Sequence, residues 1–346
     1  MTRIPSPTVD HGLLTSKHWR LGESPWRGHA GFVAPSARLI IDNDFSGDPD
    51  DLYQIVHHLL SPSVEIRAIV ASHLRPGDGM DPSDHTATNA ELVARDVFAR
   101  MGLDSTEVIY RGSEVALEDV NTPHDTPAAR AIIAEAMRDD TDLPLFVAAG
   151  GGLTDIASAY LLEPEIATRM TLIWIGGPEH DGLALPPHNA MPIEYNLLID
   201  VKAGQVLFGA QDLEIWQIPR DIYRQCLVSE AELRLRVAKS GRLGQYLYDE
   251  VRVVMDLVRH YGMPMFESYA LGDSPLVLLT ALRSAFEPDS SSSAYVEKAT
   301  PEITDEGTYR PMRGTRPMRV YTQLDVRLMF EDFYLKLQEF ADWQAS

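Results

Sequence analysis

The stretch from Arg38 to Asp51 constrains this chain more than any other. A short apolar run, β-branched at Ile40 and Ile41, leads into five aspartates within ten residues: Asp42, Asp44, Asp48, Asp50 and Asp51. Apolar residues then resume at helical spacing as Leu52, Ile55, Val56, Leu59 and Leu60. The pattern predicts a strand, an acidic turn and the start of a helix. Carboxylates this dense repel one another when buried and need a cation, unless solvent reaches all of them. Asp44 falls at the strand end and Asp50 and Asp51 in the first helical turn. A tight turn through Ser46, Gly47 and Pro49 folds the first carboxylate back toward the others. Negative charge at a helix N-terminus accounts for Asp50 and Asp51, but not for Asp42 and Asp44. Oxygen-only ligands without a cysteine or histidine cluster point to calcium or magnesium rather than zinc.

At 346 residues the chain can bury a large core, and no robust linker or internal repeat divides it. An apolar content of 45% excludes a mainly disordered protein. The formal net charge of -21 argues against binding a nucleic-acid backbone or an anionic membrane surface, and suits a small substrate or a cation. The single cysteine, Cys226, allows no intrachain disulfide and agrees with a reducing compartment. The N-terminus shows no signal-peptide pattern and nowhere do eighteen apolar residues run together, so a cytoplasmic location is expected.

Residues 1–36, rich in Pro, Gly, His and Trp, read as an irregular arm anchored by Trp19 and Trp26. Beyond the first strand (37–44) and helix (50–60), strands are expected at 65–72, 108–110, 143–149, 170–175 and 213–218. Helices are expected at 88–101, 127–138, 156–162 and 200–209. The second half reads as helical at 229–261 and 273–285, with a loop over 287–316 that leaves room for short strands, a strand at 320–324 and a helix at 326–343. Buried strands alternating with amphipathic helices call for an open, mainly parallel, Rossmann-like α/β sheet with helices on both faces. Ligands collect beyond the carboxyl ends of such strands, where the polar and glycine-rich turns of this chain fall. The expectation is one domain over 1–346, with 229–316 as a cap over the site.

Five motifs now fall in order. They are the acidic turn, Gly151-Gly152-Leu153-Thr154-Asp155, Ile175-Gly176-Gly177, Ile193-Glu194-Tyr195-Asn196 with Asp200, and Leu271-Gly272-Asp273-Ser274-Pro275-Leu276. This order, over approximately residues 38–280, resembles the inosine-uridine-type nucleoside hydrolases. The resemblance implies that fold and calcium-dependent hydrolysis of the N-glycosidic bond of a ribonucleoside or related N-riboside, with magnesium the lesser alternative. By it, Asp44 is a metal ligand and the base that activates water. Asp51, the main-chain oxygen of Thr154 and Asp273 complete the metal set. Asp50, Glu194 and Asn196 hold the ribose, with Asn189 a looser match one residue out of step, and Asp42 supports. A homodimer or homotetramer is implied as well.

The chemistry is coherent on its own terms. Clustered carboxylates stabilise an oxocarbenium-like sugar, and a metal lowers the pKa of the attacking water. Phosphoryl transfer would prefer basic residues, which these loops lack. Neither Gly-x-Gly-x-x-Gly nor a Gly-Lys-Ser/Thr ending is present, so Gly150-Gly151-Gly152 does not read as a nucleotide cradle. The chain departs from the family pattern in three places. The span from Asp44 to Asp50 is longer by two residues, the turn at Ser72-His73 lacks an expected asparagine, and Gly272 stands where many purine-cleaving members have a histidine. Either a leaving-group acid comes from elsewhere, with His73, His180, His188, Tyr195 and Tyr269 as candidates and none favoured, or the base departs without one. The alternative reading is a non-catalytic, metal-dependent sugar- or nucleoside-binding or regulatory protein on the same fold.

Overall fold

The computed structural model describes residues 15, 17–27, 33–105, 107–260, 267–286, 289 and 291–346. Most of the expected arm over 1–36 lies outside them. Its two anchoring residues are described: Trp19 is buried, its ring meets Trp26 edge-on at 4.7 Å, and its Nε1 donates to the Met101 carbonyl at 2.7 Å.

Six strands alternate with helices in the first two thirds: β1 (Ala37–Asn43), β2 (Val64–Ala71), β3 (Ile109–Arg111), β4 (Leu145–Ala149), β5 (Thr171–Ile175) and β6 (Glu214–Ile218). The helices there are α1 (Asp50–Leu59), α2 (Thr86–Met101), α3 (Pro127–Ala136), α4 (Thr154–Leu162), α5 (Tyr195–Ile199), α6 (Val201–Gly209) and α7 (Arg220–Tyr223). The remainder contains β7 (Leu227–Ser229), α8 (Glu230–Glu232), α9 (Gly241–His260), β8 (Ser268–Ala270), α10 (Pro275–Thr280), β9 (Ala294–Ala299), β10 (Glu302–Ile303), β11 (Tyr309–Arg310), β12 (Pro317–Gln323) and α11 (Val326–Ala345).

Eight of these strands form one sheet in the order β3-β2-β1-β4-β5-β6-β12-β9. Every neighbouring pair is parallel except β12 with β9. The period of two along β1 shows why both faces are covered. Leu39 and Ile41 enter the apolar core that includes Leu52, Ile55 and Phe333, whereas Ile40 enters the opposite one with Ala129, Ile156 and Leu207. The chain moves outward from β1 to β2 and β3, then returns to pair β4 with the other edge of β1. This reversal opens a crevice beyond the ends of β1 and β4, where ligands bind in sheets of this type.

Two expectations for the second half change, and a third gains its bounds. The helix expected over 229–261 divides: a capping box on Ser229 starts α8, Leu233–Val237 widens into a π turn, and Gly241, at φ 68°, starts α9 afresh. The helix expected to 285 ends at Thr280. Within the expected 287–316 loop, the room left for a short strand is taken by Ala294–Ala299, the outer strand of the main sheet. Its exposed Glu297 and half-buried Lys298 have the polar character of an edge strand, which blurs its bounds in sequence. Among the described residues no helix is long and apolar enough to cross a membrane.

Candidate active site

The end of β1 and the N-termini of α1 and α10 bring the acidic turn and Asp273 together, although the chain separates Asp51 from Asp273 by more than two hundred residues. Ligand oxygens of Asp50, Asp51 and Asp273 all lie within 4.8 Å of one another. They line a cavity of about 240 Å³ with Asp44, Asp48, Gly150, Ile175, Tyr195, Asn196, Tyr223, Ala270 and Gly272. The turn closes as expected: the Gly47 N–H donates to the Asp44 carbonyl at 2.7 Å, and the Leu52 N–H to the Pro49 carbonyl at 3.1 Å. The Asp273 N–H donates to Asp50 Oδ2 at 3.2 Å, and Asn43 Nδ2 donates to Asp273 Oδ2 at 2.6 Å. Glycine at 150 is required sterically, because a Cβ there would collide with Asp273 Oδ2 and lie 2.5 Å from Asn43 Oδ1.

The carboxylates are under electrostatic stress. Burial, and then the charge of Asp273, hold Asp44 and Asp50 well above the ordinary carboxylate range. Burial and then Asp44 do the same to Asp51. Burial raises Asp273 to about 6, while hydrogen bonds from Asp51 and Asn43 restrain the rise. Asp44 Oδ2 and Asp51 Oδ2 are buried without a hydrogen-bond partner. Buried oxygens with no donor, crowded by like charges, are what a hard cation satisfies, so these residues fit a divalent ion with oxygen ligands.

The other expected site residues fall in different settings. Asp42 is fully buried below the cluster, with neither carboxylate oxygen hydrogen-bonded. Burial and then Asp155 raise its pKa; the Ser72 hydroxyl lies close enough to temper this without completing a bond of ordinary geometry. Thr154 opens α4 behind the Gly150–Gly152 turn; its hydroxyl donates to Asp200 Oδ2 at 2.7 Å and pairs with His73 Nε2 at 2.8 Å. Asn196 spends both amide hydrogens on the Gly150 and Ile175 carbonyls, at 2.7 and 2.8 Å. Glu194 is buried and fully engaged. It accepts from the Gly177 and Leu197 N–H groups through Oε2, and from the Asn196 N–H and the Tyr223 hydroxyl through Oε1. Asn189, in the left-handed region at φ 64°, is exposed and lines a neighbouring groove with His180, outside the acidic cavity.

None of the candidate acids has an uncommitted proton aimed at the cavity. His73 bonds Thr154 and the Leu74 carbonyl, His180 bonds Gln217, and His188 is exposed beyond the cavity wall. The Tyr195 hydroxyl donates to Asp78 Oδ2 at 2.6 Å, and that of Tyr269 to Asp48 Oδ1 at 2.5 Å. Sequence reasoning missed Asn43, Asp78 and Tyr223 as parts of the site. Asn43 lay inside the aspartate motif, a usable signal, whereas Asp78 and Tyr223 belong to no motif and arrive through folding alone.

The chain is 26% identical over 192 residues to the inosine-uridine preferring nucleoside hydrolase of Crithidia fasciculata, a match covering 53% of this chain and 56% of that protein. It is 23% identical to the Leishmania major protein of the same name, over 86% of this chain and 95% of that one. The solved purine-preferring ribonucleoside hydrolase from Gardnerella vaginalis superposes with a TM-score of 0.65 at 20% identity, covering 88% of this chain and 99% of that one. The model of the inosine-uridine preferring nucleoside hydrolases matches residues 39–331, which include every carboxylate of the cavity. The chain is therefore a divergent member of the inosine-uridine preferring nucleoside hydrolase family.

Proposed function

We propose that this protein hydrolyses the N-glycosidic bond of a ribonucleoside or related N-riboside in a calcium-dependent reaction, releasing free base and ribose. The observation that carries the reading is the convergence of Asp44, Asp50, Asp51 and Asp273 on one cavity at the switch point of the sheet. Asp44, Asp51, Asp273 and the main-chain oxygen of Thr154 would hold the ion, with Asp42 supporting from below. When bound, a divalent cation supplies a Lewis acid that makes water easier to deprotonate.

The chain's own groups do the rest. Asp44 takes the proton of the attacking water. Asp50, fixed by the Asp273 N–H, accepts from a ribose hydroxyl through its other oxygen. Asn196 is clamped by its two amide bonds and turns Oδ1 to the sugar. Glu194, already spent on four donors, sets the Gly177 turn, Asn196 and Tyr223 in place. As the bond to the base breaks, the carboxylates stabilise the positive charge that develops on the sugar.

The test is Asp44→Asn, assayed for release of base and reducing sugar with calcium restored to stripped protein. Loss of turnover of at least about 100-fold with an unchanged fold is expected, on the scale of positioned general-base catalysis. Undiminished hydrolysis would refute the assigned role. A binding or regulatory protein is the second reading, favoured by the internally committed protons of Tyr195, Tyr269 and His73. Binding of calcium and ribose with no base released from any nucleoside would select it.

A further inference from the structure

A groove of about 680 Å³ lies against the catalytic cavity. Three stretches of chain line both spaces, each at residues three apart: Ile175 and Pro178, Tyr195 and Pro192, Tyr223 and Arg220. Pro186, Pro187, Met191 and Met312 give the groove apolar walls. Its cations are engaged. Arg220 grips both oxygens of Glu179 at 2.8 and 2.6 Å, and Lys298 Nζ donates to the Asp181 carbonyl at 2.9 Å. His180 lines the groove although only 4% exposed, and Gln217 behind it fixes which nitrogen carries hydrogen. The Gly176 carbonyl can only accept, so the Gln217 atom that meets it at 2.8 Å is the amide nitrogen. Gln217 Oε1 is thereby turned to His180, and His180 Nε2 supplies the hydrogen of their 2.7 Å bond. Burial lowers the pKa of the ring and keeps it neutral, which leaves Nδ1 a bare acceptor. That nitrogen has no partner among the described residues and is not sealed from the groove. The Tyr309 ring lies along that of His180, with centroids 4.7 Å apart and planes at 36°. Asn189 stands exposed at the rim and offers an amide, donor and acceptor together.

We propose that this groove is a second site, one that binds a free nucleobase, with His180 Nδ1 accepting the N–H of the ring nitrogen that ribose would otherwise occupy. Tyr309 and the proline and methionine walls cover the faces of the ring, and Asn189 pairs with its edge. A free sugar would need a partner for each of its hydroxyls, which walls of proline and methionine do not supply, whereas a base has two apolar faces and a polar edge. The source of the base rests on the hydrolase reading above. Hydrolysis breaks the C1′–N bond, the hydroxyl of water goes to C1′ and its hydrogen to the base. In the riboside the glycosidic nitrogen bears no hydrogen; in the product it does. A bare acceptor beside the catalytic cavity therefore selects the product over the substrate.

Titration calorimetry on the full-length, calcium-loaded protein tests this with two matched pairs: hypoxanthine against 9-methylhypoxanthine, and uracil against 1-methyluracil. The methyl group stands where ribose was and removes the N–H, so each methylated base should bind about tenfold more weakly, the scale of one hydrogen bond. His180→Gln keeps a donor toward Gln217 and removes Nδ1. It should weaken hypoxanthine by about the same factor with an unchanged Tm, and should bind both members of a pair equally. Asn189→Gly, which suits the left-handed backbone at φ 64°, should weaken hypoxanthine several-fold. No binding of either free base, equal affinities within the pairs, or full affinity in His180→Gln would overturn the inference and leave the hydrolase reading standing. The expected binding in a protein that releases no base from any nucleoside would overturn the hydrolase reading alone, and the groove would then serve a base made by another reaction.

Discussion

Replacing Asp51 with asparagine should change protein stability in opposite directions with and without calcium. Oxygens of Asp51, Asp50 and Asp273 lie within 4.8 Å of one another, and Asp51 Oδ2 has no hydrogen-bond partner. At an effective dielectric constant of about 20, two full charges at that separation repel by roughly 3.5 kcal/mol. The metal-free protein avoids part of this by retaining protons, as the upward shifts of these groups show. The amide nearly preserves shape and removes one charge. Stripped Asp51→Asn should therefore be more stable than stripped wild type by about 1–3 kcal/mol near pH 8, where the repulsion is most fully developed. Calcium reverses the order. At a concentration of about 100 times Kd it stabilises the wild type by roughly 2.7 kcal/mol, and most of this is lost when a ligand is removed. The assay is urea unfolding of both proteins in chelator and in calcium, with calcium affinity measured by titration calorimetry. A variant that is less stable than wild type in chelator, yet keeps the full calcium stabilisation, would refute the argument that these carboxylates form a repulsive cluster relieved by a cation.

Gly150→Ala should cost about 1–3 kcal/mol by overpacking and abolish calcium binding, because the new methyl group displaces Asp273 from Asn43; wild-type affinity in calorimetry would contradict this. His57 is buried against Asp332 at 2.8 Å, and burial lowers its pKa from 6.5 to about 4. The unfolded chain then binds the extra proton first, so this contribution is complete above pH 6.5 and is lost as pH falls toward 4. At roughly 1.4 kcal/mol per unit the full loss is about 3 kcal/mol, and His57→Gln should flatten the decline in stability over that window; an unchanged slope would assign the pH dependence to other groups.

Much of the architecture was legible in the sequence because its signals are local. The β1 run of Leu39, Ile40 and Ile41 alternates between two cores, and the helical spacing from Leu52 to Leu60 marks α1. The aspartates at their junction announce a cation because so many carboxylates cannot be buried together unaided. Elements whose signals depend on distant partners were hidden. Strand β9 has no definite bounds in sequence until β12 pairs with it, and the helix expected from 229 to 261 is interrupted at Gly241.

The sequence by itself therefore determined the fold class, the family and the acidic turn, since periodicity, turn residues and motif order are properties of neighbouring positions. Only the tertiary structure decided what each side chain is free to do. Glu194 and Asp273 both sit in recognisable motifs, but folding spends all of Glu194 on four donors and brings Asp273 into the carboxylate cluster. Asn189 lies five residues from Glu194 in the chain, yet the left-handed turn at its backbone carries it to another groove. Tyr195 and Tyr269 carry the right group for an acid, and Asp78 and Asp48 claim their protons. Hydrogen-bond partners and charge proximity depend on distances of a few ångströms between residues far apart in the chain, and folding alone sets those distances.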